Sequence, residues 1–254
     1  MSEEIEQKLL RQIAQLQKEM RELKGVNTNT IPTYTFSKIR DKELKKLFDI
    51  EIKANPSVFK SWFEYQYNFK EETLHFFKQL IDDNREFINK YSEEDLKVKF
   101  IVPLLNHIRI LSLEDEFREF YELSITYQTD DFKIYGTTDY VISKGLFDSK
   151  KPYFFIQEFK KDEHYGNPEP QLLAELIAGV ELNKERMMRG AYIVGSIWRF
   201  VILEKLGERQ YQYFVSRDFN ATRLDDIQDI YKNILFVKEE IIQKIRAEKK
   251  QESK

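Results

Sequence analysis

Glu158 and Lys160 are two charged residues at the end of a strongly apolar run, separated by one residue. The run Tyr153–Ile156 is rich in aromatic and β-branched residues, which are typical of a buried strand. Side chains alternate between the two faces of a strand, so Glu158 and Lys160 share one face and Phe159 lies on the other. Charged groups at the end of a buried strand are costly unless a partner or a metal ion uses them. This pair is therefore a candidate functional site.

Asp139 provides a second carboxylate at the start of the preceding apolar run, 140–142. Turn-prone residues 145–152 separate that run from the strand that carries Glu158. Two strands joined by a short connection predict a β-hairpin. In such a hairpin, Asp139 and Glu158 would lie across from each other near the same face of the sheet.

Two carboxylates and a lysine at one point fit metal-assisted hydrolysis of a phosphodiester bond. Carboxylate oxygens suit Mg²⁺, a hard cation that keeps several of its waters, and Mn²⁺ is expected to substitute. A bound ion lowers the pKa of its water and stabilises charge that develops on a phosphate. Lys160 could orient or help deprotonate that water and offset phosphate charge. We see no pattern of a serine triad, a nucleotide-binding glycine loop or a zinc site.

Composition excludes several other classes of protein. The chain has 254 residues, of which 41% are hydrophobic and 33% charged, enough for one sizeable core. It has no cysteine, which excludes disulfides, thiolate metal sites and cysteine nucleophiles. No apolar run approaches the ~18–20 residues of a membrane span, and residues 1–10 do not resemble a signal peptide. We therefore expect a cytoplasmic protein. The net charge of −3 does not indicate a generally basic nucleic-acid binder, although it is compatible with a local basic groove.

The elements after the candidate site follow a mixed α/β pattern. Apolar spacing predicts a helix over 171–183, strands over 191–195 and 198–203, an edge strand over 210–215 and a final helix over 225–247. A strand over 120–128 precedes Asp139. The lysine-rich C-terminal tail is interpreted as a solvated end rather than a binding arm.

Residues 92–109 predict a helix upstream of the site. Ser92 is a good N-cap, and Asp95 stands at the third position of a capping box. Pro103 lies within the apolar pattern and should kink the helix. Glu93 and Glu94 in the first turn could complement the helix dipole, or one of them could belong to a metal site.

The N-terminal quarter predicts a short coiled coil and a helical region. A coiled-coil helix is expected over 1–25, with a heptad seam at Leu9, Ile13, Leu16, Met20 and Leu23. We interpret it as a self-association helix; the alternative is that it folds back on its own domain. Residues 26–33 read as a linker. Residues 34–91 read as helical, and their many aromatic residues fit core packing better than a base-stacking platform.

Four segments in order resemble the PD-(D/E)XK nuclease superfamily: GTTDYVI, YFFIQEFKK, PQLLAELIAGVELN and GAYIVGSIWRFVIL. The pattern is similar to that of the N-terminal nuclease domain of type I restriction enzyme motor subunits. It covers about 92–203, and we assign 92–237 to a nuclease-like core and 238–254 to a C-terminal helix and charged tail. Thr138 stands where many members have proline.

The resemblance implies a role for each matching residue. Asp139 and Glu158 would bind the metal ion, and Lys160 would activate water. Gln171, in the following helix, would border the site. The helical register favours Glu93 over Glu94 as a further metal-site acid. Lys161 and His164, just beyond the central strand, are candidate substrate-binding residues.

The expected fold class is α/β, with a restriction-endonuclease-like core whose central mixed β-sheet is flanked by helices. The expected function is that of a Mg²⁺-dependent endonuclease acting on DNA in restriction or defence, with RNA as a possible second substrate. The alternative is a non-cutting nuclease-like fold that serves as a nucleic-acid-binding or scaffold subunit. Cleavage of both strands of a duplex favours a homodimer or a dimer of dimers.

Overall fold

The structure is a computed structural model, and it describes residues 31–160 and 167–252 together with Gln12 and Gln15. The coiled-coil seam predicted over 1–25 and most of the linker lie outside the described residues. So do the candidate substrate-binding residues Lys161 and His164.

A single mixed β-sheet forms the centre of the described protein. Its nine strands are β1 (Thr33–Thr35), β2 (Asp49–Ile52), β3 (Phe117–Gln128), β4 (Lys133–Lys144), β5 (Lys150–Lys160), β6 (Met187–Val194), β7 (Ile197–Gly207), β8 (Gln210–Val215) and β9 (Phe219–Asn220). The main order is β1-β4-β5-β6-β7-β8-β2, with β3 paired to β4 and β9 paired to β7. β5 runs parallel to β6, whereas β4 runs antiparallel to β5. The predicted hairpin of β4 and β5 is therefore present.

Helices cover both faces of this sheet. They are α1 (Asp41–Leu47), α2 (Lys60–Phe63), α3 (Glu71–Asn84), α4 (Glu93–Leu96), α5 (Val102–Ile108), α6 (Glu169–Asn183) and α7 (Leu224–Glu252). The mixed α/β class predicted from the sequence is confirmed at this level. None of the described helices combines the length and the apolar character that crossing a membrane requires.

Two apolar cores lie on the two faces of the sheet. On one face, α6 and α1 pack against residues such as Val141 and Ile156. On the other, α2, α3, α5 and α7 pack against residues such as Phe155 and Phe200. Burial on alternating faces of β4 and β5 is what a sheet covered on both sides requires. The polar residues of the candidate site lie where the α6 side of this sheet ends.

The aromatic residues of 34–91 pack mainly in the core. Trp62 and Phe77 are fully buried. The ring of Phe77 lies edge-on to Tyr231 of α7, with centroids 5.2 Å apart. Phe76 stacks on the imidazole of His107 at 4.1 Å. These contacts support the core-packing interpretation, because the same rings are not free to stack on bases.

The prediction that 34–91 is helical was wrong at β1 and β2. β2 pairs in parallel with β8, so β8 is not the edge strand that its sequence suggested. The alternation of Asp49-Ile50-Glu51-Ile52 is a strand signal, with Ile50 buried and Ile52 exposed. Four residues give a weak pattern beside neighbouring helices, and the pairing that stabilises β2 comes from a strand about 160 positions away in sequence.

The helix predicted over 92–109 is present as continuous helical structure from Glu93 to Ile108, and it contains a π-helical turn. A π-helical turn, Lys97–Ile101, joins α4 to α5, and Pro103 falls in the first turn of α5. Proline has no N–H to donate, so the regular α-helical bonding pattern cannot continue through it. Such π-turns change the direction in which the preceding side chains point. Lys97, the first residue of this turn, reaches the candidate site.

Candidate active site

The pairing of β4 with β5 positions the two predicted acids. Tyr140 and Gln157 are the last backbone pair at this end of the hairpin, and Asp139 and Glu158 are the residues directly beyond it on the two strands. The backbone N–H of Phe159 donates a 2.8 Å hydrogen bond to Asp139 Oδ2, which fixes this carboxylate against β5. The structure thus brings Asp139 and Glu158 together at the end of the hairpin.

Glu158 and Lys160 form an ion pair on one face of β5. Lys160 Nζ lies 2.7 Å from Glu158 Oε1. Glu158 is only 1% exposed, and its second oxygen has no hydrogen-bond partner among the described residues. Burial, and then the charge of Asp139, raise the pKa of Glu158 to about 8 against the opposing effect of Lys160. Phe159 is buried in the core on the opposite face, as strand alternation predicts.

The charge of Lys160 is maintained by the acids around it. Burial lowers the pKa of this ammonium group, but Glu158, Glu93 and Asp139 outweigh burial, and the net shift is upward. Lys160 is therefore a fixed positive charge beside two carboxylates. In this arrangement it can bind an anionic group or the water that attacks one.

Gln171 is hydrogen-bonded to Glu175, a buried acid that the sequence analysis did not select as a site residue. Its side-chain amide donates a 3.0 Å hydrogen bond to Glu175 Oε1 one turn further along α6. Glu175 is fully buried, and its Oε2 has no partner among the described residues. Burial, and then the charge of Glu158, raise the pKa of Glu175 well above its ordinary value. A single glutamate within the apolar run of α6 was the available signal, since such a helix is buried all round.

Lys97 is the second residue that the sequence reasoning missed. Its Nζ donates a 2.7 Å hydrogen bond to Asp139 Oδ1. The same ammonium lies 3.7 Å from Glu93 Oε1 and 3.6 Å from Glu122 Oε1. Burial lowers the pKa of Lys97, but Asp139 and the two glutamates outweigh burial and raise it. Glu93 therefore lies on the site side, half-buried, whereas Glu94 is exposed.

Glu122 lies on β3, directly opposite Asp139 on β4. Tyr121 pairs with Tyr140 and Leu123 with Thr138, so Glu122 faces Asp139 between these pairs. Its φ of 51° is left-handed, which is unusual for a non-glycine residue within a strand. Backbone strain of this kind persists only where the surrounding structure imposes it, and it is found preferentially at functional sites.

These residues offer oxygen ligands that suit a hard divalent cation. Within 31–160 and 167–252, no group of three or more histidine or acidic side chains is arranged to hold a metal ion. Asp139 and Glu158 would supply two acids, and Oε2 of the buried Glu158 has no hydrogen-bond partner within the described part of the chain. An orphaned, buried carboxylate oxygen beside a second acid is what a Mg²⁺ site bound through one or two carboxylates would need. Asp139 and Glu158 therefore offer oxygen donors of the type that Mg²⁺ prefers.

No protein-family model matches the chain, and no curated protein is significantly similar to it. The functional interpretation therefore depends on the chemistry and geometry of the residues that meet at the end of β4 and β5.

Proposed function

We propose that the protein is a Mg²⁺-dependent nuclease with a restriction-endonuclease-like core, which hydrolyses phosphodiester bonds of DNA. The observation that carries this proposal is the convergence of Asp139, Glu158 and Lys160 at one end of the β4–β5 hairpin. The mixed sheet flanked by helices is compatible with that core. Foreign DNA in the cytoplasm is the proposed target, as part of restriction or defence.

Asp139 and Glu158 would hold the ion, with Glu93 as an additional acid at the border of the site. When bound, the ion would supply a water of lowered pKa and stabilise charge on the phosphate. The hydrogen bond from Phe159 N–H keeps the Asp139 carboxylate in one orientation. Positioned ligands of this kind need no rearrangement at the moment of reaction, which lowers the barrier.

Lys160 would bind the scissile phosphate and orient the attacking water. The side chain of Lys160 is 21% exposed, whereas that of its partner Glu158 is almost fully buried, so Lys160 is the member of the pair that a substrate can approach from solvent. Lys160 keeps its proton because the surrounding acids raise its pKa. It would therefore act mainly through its positive charge and its hydrogen bonds. Gln171, held by Glu175, would limit how far the side chains of α6 move into the site.

Replacing Lys160 provides the sharpest test of this proposal. Lys160→Met should lower the rate of DNA cleavage by at least about 10²-fold, because it removes a charge that acts on the phosphate. Supercoiled, linear and single-stranded DNA, and RNA, would each be incubated with Mg²⁺, Mn²⁺ or EDTA. Asp139→Asn and Glu158→Gln should also abolish cleavage, and EDTA should abolish it in the wild type.

Lys205→Met is the matched control for Lys160→Met. Lys205 also forms a partly buried ion pair, at 2.8 Å from Glu181, but away from the Asp139 site. Its loss should leave cleavage unchanged. Cleavage by Lys160→Met at the wild-type rate would refute the nuclease assignment, provided that circular dichroism shows both variants folded.

One observation favours a second candidate function, that of a non-cutting scaffold or nucleic-acid-binding subunit. The ion pair with Lys97 already neutralises Asp139, so the site can exist without a metal ion. A wild-type protein that binds DNA in a gel-shift assay, yet cleaves none of the four substrates with either metal, would support this alternative.

A further inference from the structure

Lys97 occupies a position at the centre of three carboxylates. Its Nζ is 2.7 Å from Asp139 Oδ1, 3.6 Å from Glu122 Oε1 and 3.7 Å from Glu93 Oε1. The lysine side chain is 16% exposed and that of Asp139 is 12% exposed, so this contact is largely shielded from water. Such a shielded, charge-assisted hydrogen bond is much stronger than an ion pair on the surface.

Both oxygens of Asp139 are occupied in this arrangement. Phe159 N–H donates to Oδ2, and Lys97 donates to Oδ1. The backbone donor belongs to β5, an interior strand of the sheet, and cannot leave without disturbing that strand. Each carboxylate oxygen has two lone pairs, but a divalent cation on Oδ1 would lie close to the Lys97 ammonium, whose positive charge repels it.

Glu93 and Glu122 give the displaced ammonium somewhere to go. Both carboxylates lie within 4 Å of Lys97 Nζ but beyond the optimal hydrogen-bond distance, so a small movement of a flexible side chain would reach either. Glu122 lies opposite Asp139 on β3, and its side chain is 67% exposed.

We propose that Lys97 is a built-in counter-ion of the site, which binds Asp139 in the metal-free protein and transfers to Glu93 and Glu122 when a divalent cation binds. This inference rests on the proposed function, since it concerns the same metal site. Lys97 and the metal ion then compete for one carboxylate oxygen. The competition keeps the buried acids compensated without metal and weakens metal binding by the free energy of the Lys97–Asp139 contact.

Calorimetric titration of Mn²⁺ into the full chain tests this competition directly. Lys97→Met keeps most of the length of the side chain and removes the ammonium. Because the ion no longer has to break a charge-assisted hydrogen bond, its affinity should rise roughly tenfold or more. Lys99→Met is the matched control, because Lys99 pairs with Asp95 at 2.7 Å outside the site. Its Mn²⁺ affinity should equal that of the wild type.

The outcomes separate this inference from the nuclease proposal. Equal or weaker Mn²⁺ binding by Lys97→Met would overturn the counter-ion role and leave the metal site standing. Absence of Mn²⁺ binding by the wild type, or binding by Asp139→Asn as tight as that of the wild type, would instead refute the metal site and with it the proposed function.

A second measurement uses the wild type and does not depend on the folding of any variant. Amine-specific acylation followed by mass spectrometry would compare Lys97 with Lys99, with and without Mg²⁺. We expect Mg²⁺ to increase the modification of Lys97, because the ammonium leaves the shielded contact with Asp139, and to leave Lys99 unchanged. An unchanged or decreased modification of Lys97 at saturating Mg²⁺ would overturn the proposal.

Discussion

Glu158 and Glu175 are two buried carboxyl groups that interact with each other, and Lys160 is the ammonium group that acts on both of them. Lys160 contacts Glu158 directly, whereas Glu175 has an amide donor, Gln171, and no lysine or arginine at hydrogen-bond distance among the described residues. Burying a carboxylate without a cation is unfavourable, so such a group holds its proton to high pH. Such unfavourable burial of two carboxyl groups is consistent with the proposal that the site binds a cation.

Glu175→Gln should make the stability of the metal-free protein less dependent on pH. Burial raises the pKa of Glu175 above its ordinary value of 4.5, so the folded state keeps a proton that the unfolded chain releases. The contribution of this group to the free energy of unfolding is therefore complete below about pH 4.5 and is lost as the pH rises, by up to about 1.4 kcal/mol per unit. Glutamine has no proton to lose. In urea unfolding from about pH 5 to about pH 8, the free energy of unfolding of the variant should increase relative to that of the wild type as the pH rises.

Glu94→Gln serves as the comparison for that pH series. Glu94 is exposed on α4, so its replacement removes a carboxyl group that is not buried. A Glu175→Gln protein whose unfolding free energy runs parallel to that of the wild type over this range would show that Glu175 is ionised in the folded state, contrary to our interpretation.

The sequence was sufficient to place Asp139, Glu158 and Lys160, because their positions follow from local rules. Strand alternation puts residues two apart on one face, and a short connection predicts the hairpin that aligns the acids. Lys97 and Glu175 were missed because their roles depend on which face of a helix meets the sheet. That orientation is set by tertiary packing and, for Lys97, by the π-helical turn that it begins.

The close packing of helix α6 on the sheet depends on Gly190 of β6. A Cβ atom on Gly190 of β6 would lie 2.7 Å from the carbonyl oxygen of Ile156 and 2.9 Å from Leu176 Cδ2. One neighbour is backbone of β5 and the other is a buried side chain of α6. The absence of a side chain at this position therefore fixes the distance between the helix that carries Gln171 and the strand that carries Glu158.

Gly190→Ala should destabilise the protein by about 1–3 kcal/mol and reduce DNA cleavage as well. The added methyl group has to displace α6 or β5, and either movement separates Gln171 and Glu175 from Glu158. Thermal unfolding and the cleavage assay would measure the two effects. In the control Gly207→Ala, the added Cβ meets only the flexible end of Gln210, at 2.8 Å, so both properties should stay near wild type. A Gly190→Ala protein of wild-type stability would contradict the close packing.

Long helices and strands were easier to predict from the sequence than the short strands β1 and β2. The helix over 171–183 and the strands β5 to β7 have long apolar patterns, and each was located with ends that differ by a few residues. For β4 (Lys133–Lys144), the apolar run 140–142 marked only the second half of the strand. β1 and β2 have only three and four residues, and they exist because β4 and β8 offer them edges to pair with. Short strands of this kind are stabilised by partners distant in sequence, which a local pattern does not report.

The described protein as a whole presents one Asp139–Glu158–Lys160 set on one sheet. The long helix α7 runs from Leu224 to Glu252 without a break, and Ile241 and Ile245 in its second half are buried in the same core as its first half.

Cutting both strands of a duplex with one Asp139–Glu158–Lys160 set requires either two successive reactions or a second chain. A closed two-fold dimer is the commonest way to bring two identical sites together.

We therefore expect the full chain to form a dimer, or a dimer of dimers, through the heptad seam predicted over 1–25. Ile13→Glu combined with Leu16→Glu places charges in that seam without shortening the chain. Because three heptads associate weakly, the double variant should shift towards monomer at micromolar concentration in light scattering. Its rate of nicking one strand of supercoiled DNA should stay near wild type, whereas its rate of cutting both strands should fall. A wild-type chain that is monomeric under these conditions would exclude the dimer. A double variant that keeps the same oligomeric state would instead move the interface from the N-terminal helix to the part of the chain that begins at Ile31.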